Sequence, residues 1–371
     1  MYAEKLNLMN ELMNFTNATN TNNQTWIPYV SFIGYVLTSI TGLIGNAVVI
    51  FVLAFIMKEQ KCKVWILNLA VADFLFLLIL PLYATAVLKQ NWIYGSLLCK
   101  LYHFMSTCNM YSSIFIITAL NIDRVLSVAK PIWHLKVFSR RVSHFTCAGI
   151  WATALLLSVP VIFLTNEYKS GEKIECGLVN IKQINTGHRL VKRGINMTIY
   201  PDICVGTAYD ILPDPGKADS VTQWHQMKPL IEGLIIPLIL IGYFIPLCTI
   251  ILSNIMIAHQ VNKSHTLKSS KLYRIVMAVI LIFFLTWTPL IIAEVTYIVA
   301  VNTLNFSLMH NIYTIIPLLT SIAYSNCCLN PIIYVLVGRQ VRDALMGFIH
   351  NEKKNKHIKG AHNIQAMKIS S

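Results

Sequence analysis

Three acidic positions carry chemistry that their neighbours do not explain. Asp123 and Arg124 stand side by side in TALNIDRVLSVAKP, residues 118–131, where an apolar run turns basic. Asp73 closes the stretch NLAVAD with no basic residue in its own run, and Glu294 lies within TWTPLIIAEVTYIVA. An adjacent acid–base pair can neutralise itself, or it can hold a guanidinium fork ready for a polar partner. A lone carboxylate among apolar residues needs a cation, a proton or a hydrogen-bond network, and oxygen ligands suit a hard cation. No glycine-rich nucleotide loop and no metal-ligand cluster appears, so a nucleotide-driven transporter or a membrane enzyme has little support.

The elements that position these residues follow from composition. The chain has 371 residues, of which 55% are hydrophobic and 12% charged. A soluble domain carries about 25% charged residues, so this chain cannot cover a water-facing surface of its size and reads as a membrane protein. Its net charge of +14 matters through its placement. Seven apolar runs of about bilayer length, roughly 20 residues or more, span 29–57, 64–88, 98–129, 142–164, 229–258, 272–300 and 308–336. Alternating ten-residue strands are absent, so helices rather than a barrel are expected. Pro160, Pro246, Pro289 and Pro331 fall inside or near the ends of these runs, where helix kinks are tolerated. The opening MYAEKLNLMN lacks the pattern of a cleaved signal peptide, so the first span is expected to act as the anchor.

Orientation comes from the short loops. Lys58, Lys61 and Lys63 follow the first run. Lys130, Lys136, Arg140 and Arg141 follow the third, and Lys263, Lys268, Lys271 and Arg274 the fifth. Arg339, Arg342, Lys353, Lys354, Lys356 and Lys359 follow the seventh. Four basic loops on one side make that side cytoplasmic and put the N-terminus outside. Glycosylation acceptors at Asn14, Asn17, Asn23, Asn196 and Asn305 all fall on the outer side, while Asn262 falls inside; each alone is weak, and their agreement with the charge bias is what counts. Asp123 and Arg124 then lie at the inner end of the third span. A snorkelling interface pair and a functional pair facing the bundle interior both satisfy that position.

One mark per span now accumulates in order. Gly45-Asn46 lies in the first, NLAVAD ending at Asp73 in the second, Asp123-Arg124 in the third and Trp151 in the fourth. Pro246 lies in the fifth, TWTP with Trp287 and Pro289 in the sixth, and NPIIY from Asn330 to Tyr334 in the seventh. The chain resembles a rhodopsin-like, class A G-protein-coupled receptor along nearly its whole length. The resemblance implies an all-α membrane protein: a seven-transmembrane bundle over 29–337, a glycosylated outer tail over 1–28, and a short amphipathic helix with a cytoplasmic tail over 338–371. It implies the plasma membrane as location and a heterotrimeric G protein as partner.

The resemblance also implies roles. Arg124, beside Asp123, would be freed toward the G protein when the sixth span swings outward, with Trp287 as pivot, Pro289 as hinge, and Asn330, Pro331 and Tyr334 completing the inner machinery. Pro131 and Ile132 would pack on the G protein. Ordinary core packing remains the other reading of Trp287 and Pro289. Asp73, with Asn46, Asn109, Ser113, Asn326 and Asn330 converging on it, would form an allosteric sodium site; a protonated Asp73 in a hydrogen-bond network is the alternative. No other metal and no cofactor is expected.

Cys99 falls where this family anchors its second outer loop, which spans about 166–228 and offers Cys176 and Cys204. Spacing from the fourth span favours Cys176, leaving Cys204 odd. Cys62, Cys108, Cys147, Cys248, Cys327 and Cys328 are expected to be buried or cytoplasmic packing residues. The loop carries Lys182, Arg189, Lys192 and Arg193, then Tyr200-Pro-Asp202, Tyr209-Asp210, Asp214 and Asp219. Tyrosines beside acids could be sulfated into an anionic patch for a basic peptide; a solvated loop fits equally.

ILPLY in the second span, Asn109, and SNCCLNPIIYVLVGRQVRD are similar to the chemoattractant group: formyl-peptide, anaphylatoxin, chemerin-like and chemoattractant prostaglandin receptors. Their ligands are peptides or lipid acids and their partner mostly the inhibitory G protein. Ser106 stands where amine receptors place an aspartate, and the seventh run has no lysine for retinal. A secondary transporter would need broken helices and repeat symmetry, and neither is seen. By family position the ligand-facing residues are Tyr83, His103, Ser106, Thr107, Met110, Glu294, Tyr297, Thr320 and Tyr324. Leu238 occupies the turn where carboxylate-binding members commonly place a basic residue, which favours a ligand with a basic group; Glu294 pairing with His103 or an outer-loop lysine is the alternative. Val125, Asn254 and Val341 depart from the family pattern, and past residue 350 only Ser370 and Ser371 could take phosphate, a poor arrestin signal. A weakly signalling scavenger receptor is therefore the second hypothesis.

Overall fold

Each apolar run becomes a helix in a computed structural model. It describes residues 26–57, 63–137, 139–170, 173–178, 220–264 and 271–336, with positions 346, 347 and 350. The first span, Ile27–Phe51, ends in a π turn, Val52–Ile56. The second is Lys63–Leu77 continued by Leu80–Lys89, re-entering helix with Pro81 in its first turn, a position where the missing N–H costs little. The third is Gly95–Ala129 and the fourth Arg140–Leu164. The fifth runs Ser220–Ile239, a π turn Leu240–Phe244, then Ile245–Ser264. The sixth is Lys271–Asn302, and the seventh Phe306–Tyr324 followed by Asn326–Leu336. A short helix, Pro131–Val137, follows the third span. A two-stranded antiparallel hairpin, β1 Thr165–Ser170 and β2 Lys173–Leu178, follows the fourth.

The bundle is inverted relative to a soluble protein. Asn46, Asp73, Asn109, Ser112, Ser113, Asn121, Asn326 and Asn330 are buried, while Ile44, Phe145, Leu156, Phe163, Leu285 and Ile292 are exposed. A continuous apolar exterior of this kind marks contact with lipid. Among the described residues six of the seven spans are long and apolar enough to cross a bilayer by length and composition. The third is outside that set because it is the most polar. The polarity is affordable there, since its neighbours bury it and supply partners. Buried hydroxyls turn back on their own helices: Ser39 bonds the Tyr35 carbonyl at 2.8 Å and Ser158 the Ala154 carbonyl at 2.7 Å.

Close approaches fall on glycine. A Cβ at Gly45 would lie 2.8 Å from Pro331, so the first and seventh spans meet only because none is present. At Gly242, in the π turn, a Cβ would lie 2.4 Å from the Met110 methyl. The fifth span thus lets the third pass at the level of the cavity floor. Trp151 Nε1 donates to Asn68 Oδ1 at 3.0 Å, tying the fourth span to the second.

Three expectations change. The fifth helix begins at Ser220 rather than 229; residues 220–228, SVTQWHQMK, are too polar to extend the apolar run, and a helix that leaves the bilayer can stay helical in water. The second outer loop opens with a hairpin, too short and charged for strand periodicity to announce. Cys248 is exposed on the lipid side instead of buried, whereas Cys108, Cys147 and Cys327 are buried. The tail residues 1–25, Asn14, Asn17, Asn23, Asn196, Cys62, Cys204, the tyrosine–acid stretch and nearly all of 338–371 lie outside the described residues.

Candidate functional site

The hairpin covers the outer end of the third span, over the side chains expected to face the ligand. Cys99 and Cys176 form a disulfide, joining β2 to the outer end of the third span. Trp92 N donates to the Ile174 carbonyl at 2.7 Å, and Ile174 N donates to Asn91 Oδ1 at 2.8 Å. Trp92 is itself buried, with Nε1 on the Gly95 carbonyl at 2.9 Å. Asn91 and Trp92 were not singled out from sequence; the run NWIYG between two spans was the available signal. His103, one turn below Cys99, lies against the Cys176 backbone and leaves Nε2 buried without a partner. His103 lies close to both bridge sulfurs, but sulfurs joined in a disulfide are not thiolate ligands, so no metal trio exists there.

Below the roof lies a tyrosine cluster. Tyr83 stacks on Tyr102 with centroids 4.3 Å apart, and Tyr35 meets Tyr83 edge-on at 5.5 Å. The Tyr324 hydroxyl shares hydrogen bonds with Ser106 Oγ at 2.6 Å and Tyr102 OH at 3.1 Å. The Tyr35 hydroxyl donates to the Pro317 carbonyl at 2.6 Å, holding the first span to the seventh. Tyr102 and Tyr35 were missed because only contact across spans reveals them. Tyr83, His103, Ser106, Thr107 and Glu294 stay partly accessible, although Tyr83, His103 and Ser106 contact neighbouring spans or the roof. Thr107 turns its hydroxyl to the His103 carbonyl at 2.9 Å. Three other expected liners are more deeply packed. Met110 is buried against Gly242, Tyr297 lies in an apolar cluster with Ile231 and Phe306, and Thr320 is buried beside Tyr35.

The floor is aromatic. Trp287 stacks on Phe283 at 5.7 Å and meets Tyr324 edge-on at 6.4 Å. Tyr243 OH bonds Thr288 Oγ1 at 2.6 Å, linking the fifth span to the sixth one residue before Pro289. Beneath it lies the polar core. Asn109 Nδ2 donates to Asp73 Oδ1 at 3.1 Å and Asn330 Nδ2 donates to Oδ2 at 3.0 Å. Ser113 Oγ lies near the same carboxylate without a formed bond, and Asn326 Oδ1 and Asn330 Oδ1 are buried without partners. Asn46 does not join this set; its amide donates to the Gly42 and Cys327 carbonyls, both at 2.9 Å.

At the inner end Arg124 is ion-paired with Asp123 Oδ2. The pair does not stand alone: His134 Nε2 donates to Asp123 Oδ1 at 2.9 Å, with His134 5% and Asp123 4% exposed. The helix Pro131–Val137 is thus fastened to the third span and presents Ile132, 72% exposed, at the inner end of the bundle. His134 was not anticipated; it lies eleven residues from Asp123, and only the turn at Pro131 brings it back. Replacing His134 with alanine leaves a buried carboxylate oxygen without that donor, at a cost of about 1–3 kcal/mol. The expected outcome is a lower apparent Tm of the purified receptor, partly restored in His134→Asn. An unchanged Tm in His134→Ala removes His134 from the network.

A seven-span bundle with an outer cavity above a polar core and a guarded arginine at its inner end has the layout of a transmembrane receptor. The family model for the 7 transmembrane receptor (rhodopsin family) matches residues 45–200 and 220–334. The chain belongs to that family; it is a multi-pass plasma-membrane receptor and not an enzyme. It is 31% identical over 312 residues to chemerin-like receptor 1 of Mus musculus, covering 83% of this chain and 75% of that protein. It is 29% identical to N-formyl peptide receptor 3 of Gorilla gorilla gorilla, with coverages of 83% and 80%. It is 28% identical to the C3a anaphylatoxin chemotactic receptor of Danio rerio, with coverages of 85% and 73%. The chemoattractant-type branch expected from sequence is where these relatives lie.

Proposed function

We propose that this receptor converts binding of an extracellular chemoattractant-like peptide into activation of an inhibitory heterotrimeric G protein. The observation that carries the reading is the inner face: Arg124 held by Asp123, with Ile132 displayed on a helix fastened through His134. An arginine released from such a pair has a planar fork of donors for a partner's carbonyls, and the exposed isoleucine supplies an apolar anchor. The names of the relatives support a peptide-type ligand, one naming an N-formyl peptide and one the C3a anaphylatoxin. Ligand binding biases a two-state bundle in which Trp287 and Pro289 let the sixth span tilt. Expression in cells with a cyclic AMP readout, across chemoattractant peptides and lipid acids, tests the reading. Binding without any change in cyclic AMP would favour the scavenger reading.

Under the same reading Asp73 holds a sodium ion in the resting state with Ser113, Asn326 and Asn330. The buried, unpartnered oxygens of Ser113 and Asn330 beside the carboxylate, with that of Asn326 one turn before Asn330, are a donor set that suits a hard cation, and Asn109 keeps the carboxylate oriented. A bound sodium supplies the counter-charge that a buried carboxylate lacks, and its loss frees these groups to rearrange. Agonist affinity is expected to fall as sodium rises from zero to 150 mM, roughly a physiological ionic strength, and Asp73→Asn should abolish that dependence. A sodium-independent wild type points to a protonated network instead.

A further inference from the structure

Two hydrogen-bond acceptors border the outer cavity, and the protein satisfies neither. Glu294 lies seven residues outward of Trp287, about two helical turns. Its Oε2 is shielded from solvent without a hydrogen bond, and among the described residues no Lys, Arg or His forms an ion pair with it. His103 Nε2 is in the same condition. The His103 ring lies against the Cys176 backbone, and a neutral ring protonated on its other nitrogen accepts at Nε2. The Glu294–His103 pairing that the sequence left open is therefore not made. Leaving a buried carboxylate without a cation costs several kcal/mol, which a ligand can recover on binding.

Among the described residues the neighbours supply no counter-charge. The Tyr111 and Tyr324 hydroxyls lie within electrostatic range of Glu294. Glu175 on β2 lies within range of Tyr83 at the cavity mouth. Lys173, the basic residue of β2, points away to Gln90 Oε1 at 2.9 Å. Leu238 supplies no counter-charge from the fifth span. Tyr83 and Trp287 each have one ring face covered, by Tyr102 and Phe283, and a free aromatic face attracts cations. Trp287 Nε1 is a buried donor without a partner and the hydroxyls can donate or accept, but Glu294 offers counter-charge to a cation and none to a ligand carboxylate.

We propose that the outer cavity is built for a cationic ligand group with several N–H donors, a guanidinium or primary ammonium, with Glu294 as counter-charge and His103 Nε2 accepting a further hydrogen bond. The proposal rests on the receptor reading above and names the ligand chemistry. The group can come from a basic peptide or from a small free amine.

The test uses the full-length receptor in lipid nanodiscs, with binding read as thermal stabilisation. The probes are three hexapeptide-amide mixtures that fix one position as arginine, as citrulline, which has the same shape without charge, or as glutamate; agmatine is the free guanidine. The arginine mixture is expected to bind wild type at least tenfold more tightly than the citrulline mixture, about 1.4 kcal/mol. Glu294→Gln, nearly isosteric, should lose that preference, Glu294→Lys should invert it toward the glutamate mixture, and His103→Phe should weaken arginine binding. Surface display of each variant controls for folding. Agmatine competing with the arginine mixture assigns a small amine, and failure to compete assigns a peptide. The proposal is overturned if citrulline or glutamate mixtures bind wild type as well as arginine does, if Glu294→Gln keeps the preference, or if none of the probes binds. Arginine-selective binding without a cyclic AMP response sinks the G-protein reading alone. A cyclic AMP response to the glutamate mixture sinks the ligand proposal alone.

Discussion

Arg124→Ala is expected to abolish ligand-dependent lowering of cyclic AMP while surface expression and ligand binding stay close to wild type. The guanidinium reaches Asp123 through one nitrogen, while Nε is buried without a partner. An arginine carries five N–H donors, so the pair with Asp123 leaves donors free for a second partner once the inner end opens. Hydrogen bonds to a charged group contribute about 1.5–3 kcal/mol each, so losing even one to the G protein lowers coupling by roughly ten- to hundredfold, and losing two removes a measurable response. Binding is spared because the mutated side chain lies at the opposite end of the third span from His103 and Cys99. Stability is partly spared because His134 still donates to Asp123 after the arginine is gone. Arg124→Lys separates charge from geometry: an ammonium keeps the charge but not the planar fork, and an intermediate response is expected. Undiminished signalling from Arg124→Ala takes Arg124 out of the mechanism and leaves the pair as an interface anchor.

The spans were legible because lipid imposes a simple rule: each needs about 20 apolar residues with its backbone bonded internally. The same rule explains where the reading stopped. The bilayer does not set where a helix ends in water, so Ser220 was missed while the apolar run from 229 was found. π turns such as Leu240–Phe244 add one residue per turn without changing composition. Asp73, Asn109 and Asn330 could be grouped in advance through the family pattern, and the structure brings their side chains together. Asn46 was grouped with them, yet it serves the contact between the first and seventh spans. The unanticipated residues share one property. His134, Trp92, Tyr102 and Tyr243 act through partners set by loop turns or by span-to-span packing. Periodicity along one helix carries no trace of such contacts, whereas an acid in an apolar run is visible at once.

The second large effect concerns the roof. Cys99→Ser or Cys176→Ser is expected to lower surface display several-fold and to abolish high-affinity ligand binding in what remains. The two cysteines are separated by 77 residues. A chain-entropy treatment assigns a cross-link over a loop of that length about 4.5 kcal/mol. In a bundle whose third and fourth spans are already held by the membrane, the denatured chain has less freedom to lose, so the global effect is smaller. The local effect is not reduced in this way. β2 is held over the cavity by the bridge and by the contacts of Ile174 with Asn91 and Trp92. His103 takes its orientation from the Cys176 backbone that the bridge anchors. Without the bridge, two hydrogen bonds of ordinary strength, about 0.5–1.5 kcal/mol each, must hold the hairpin, and the roof is expected to open and release His103. Asn91→Ala in the wild-type background should then give a partial form of the same defect, and combined with Cys176→Ser it should remove residual binding. Peptide mapping of the purified receptor under non-reducing conditions checks the pairing directly. Recovery of Cys99 joined to Cys204, or full binding by Cys176→Ser at normal surface levels, would overturn the account of the roof.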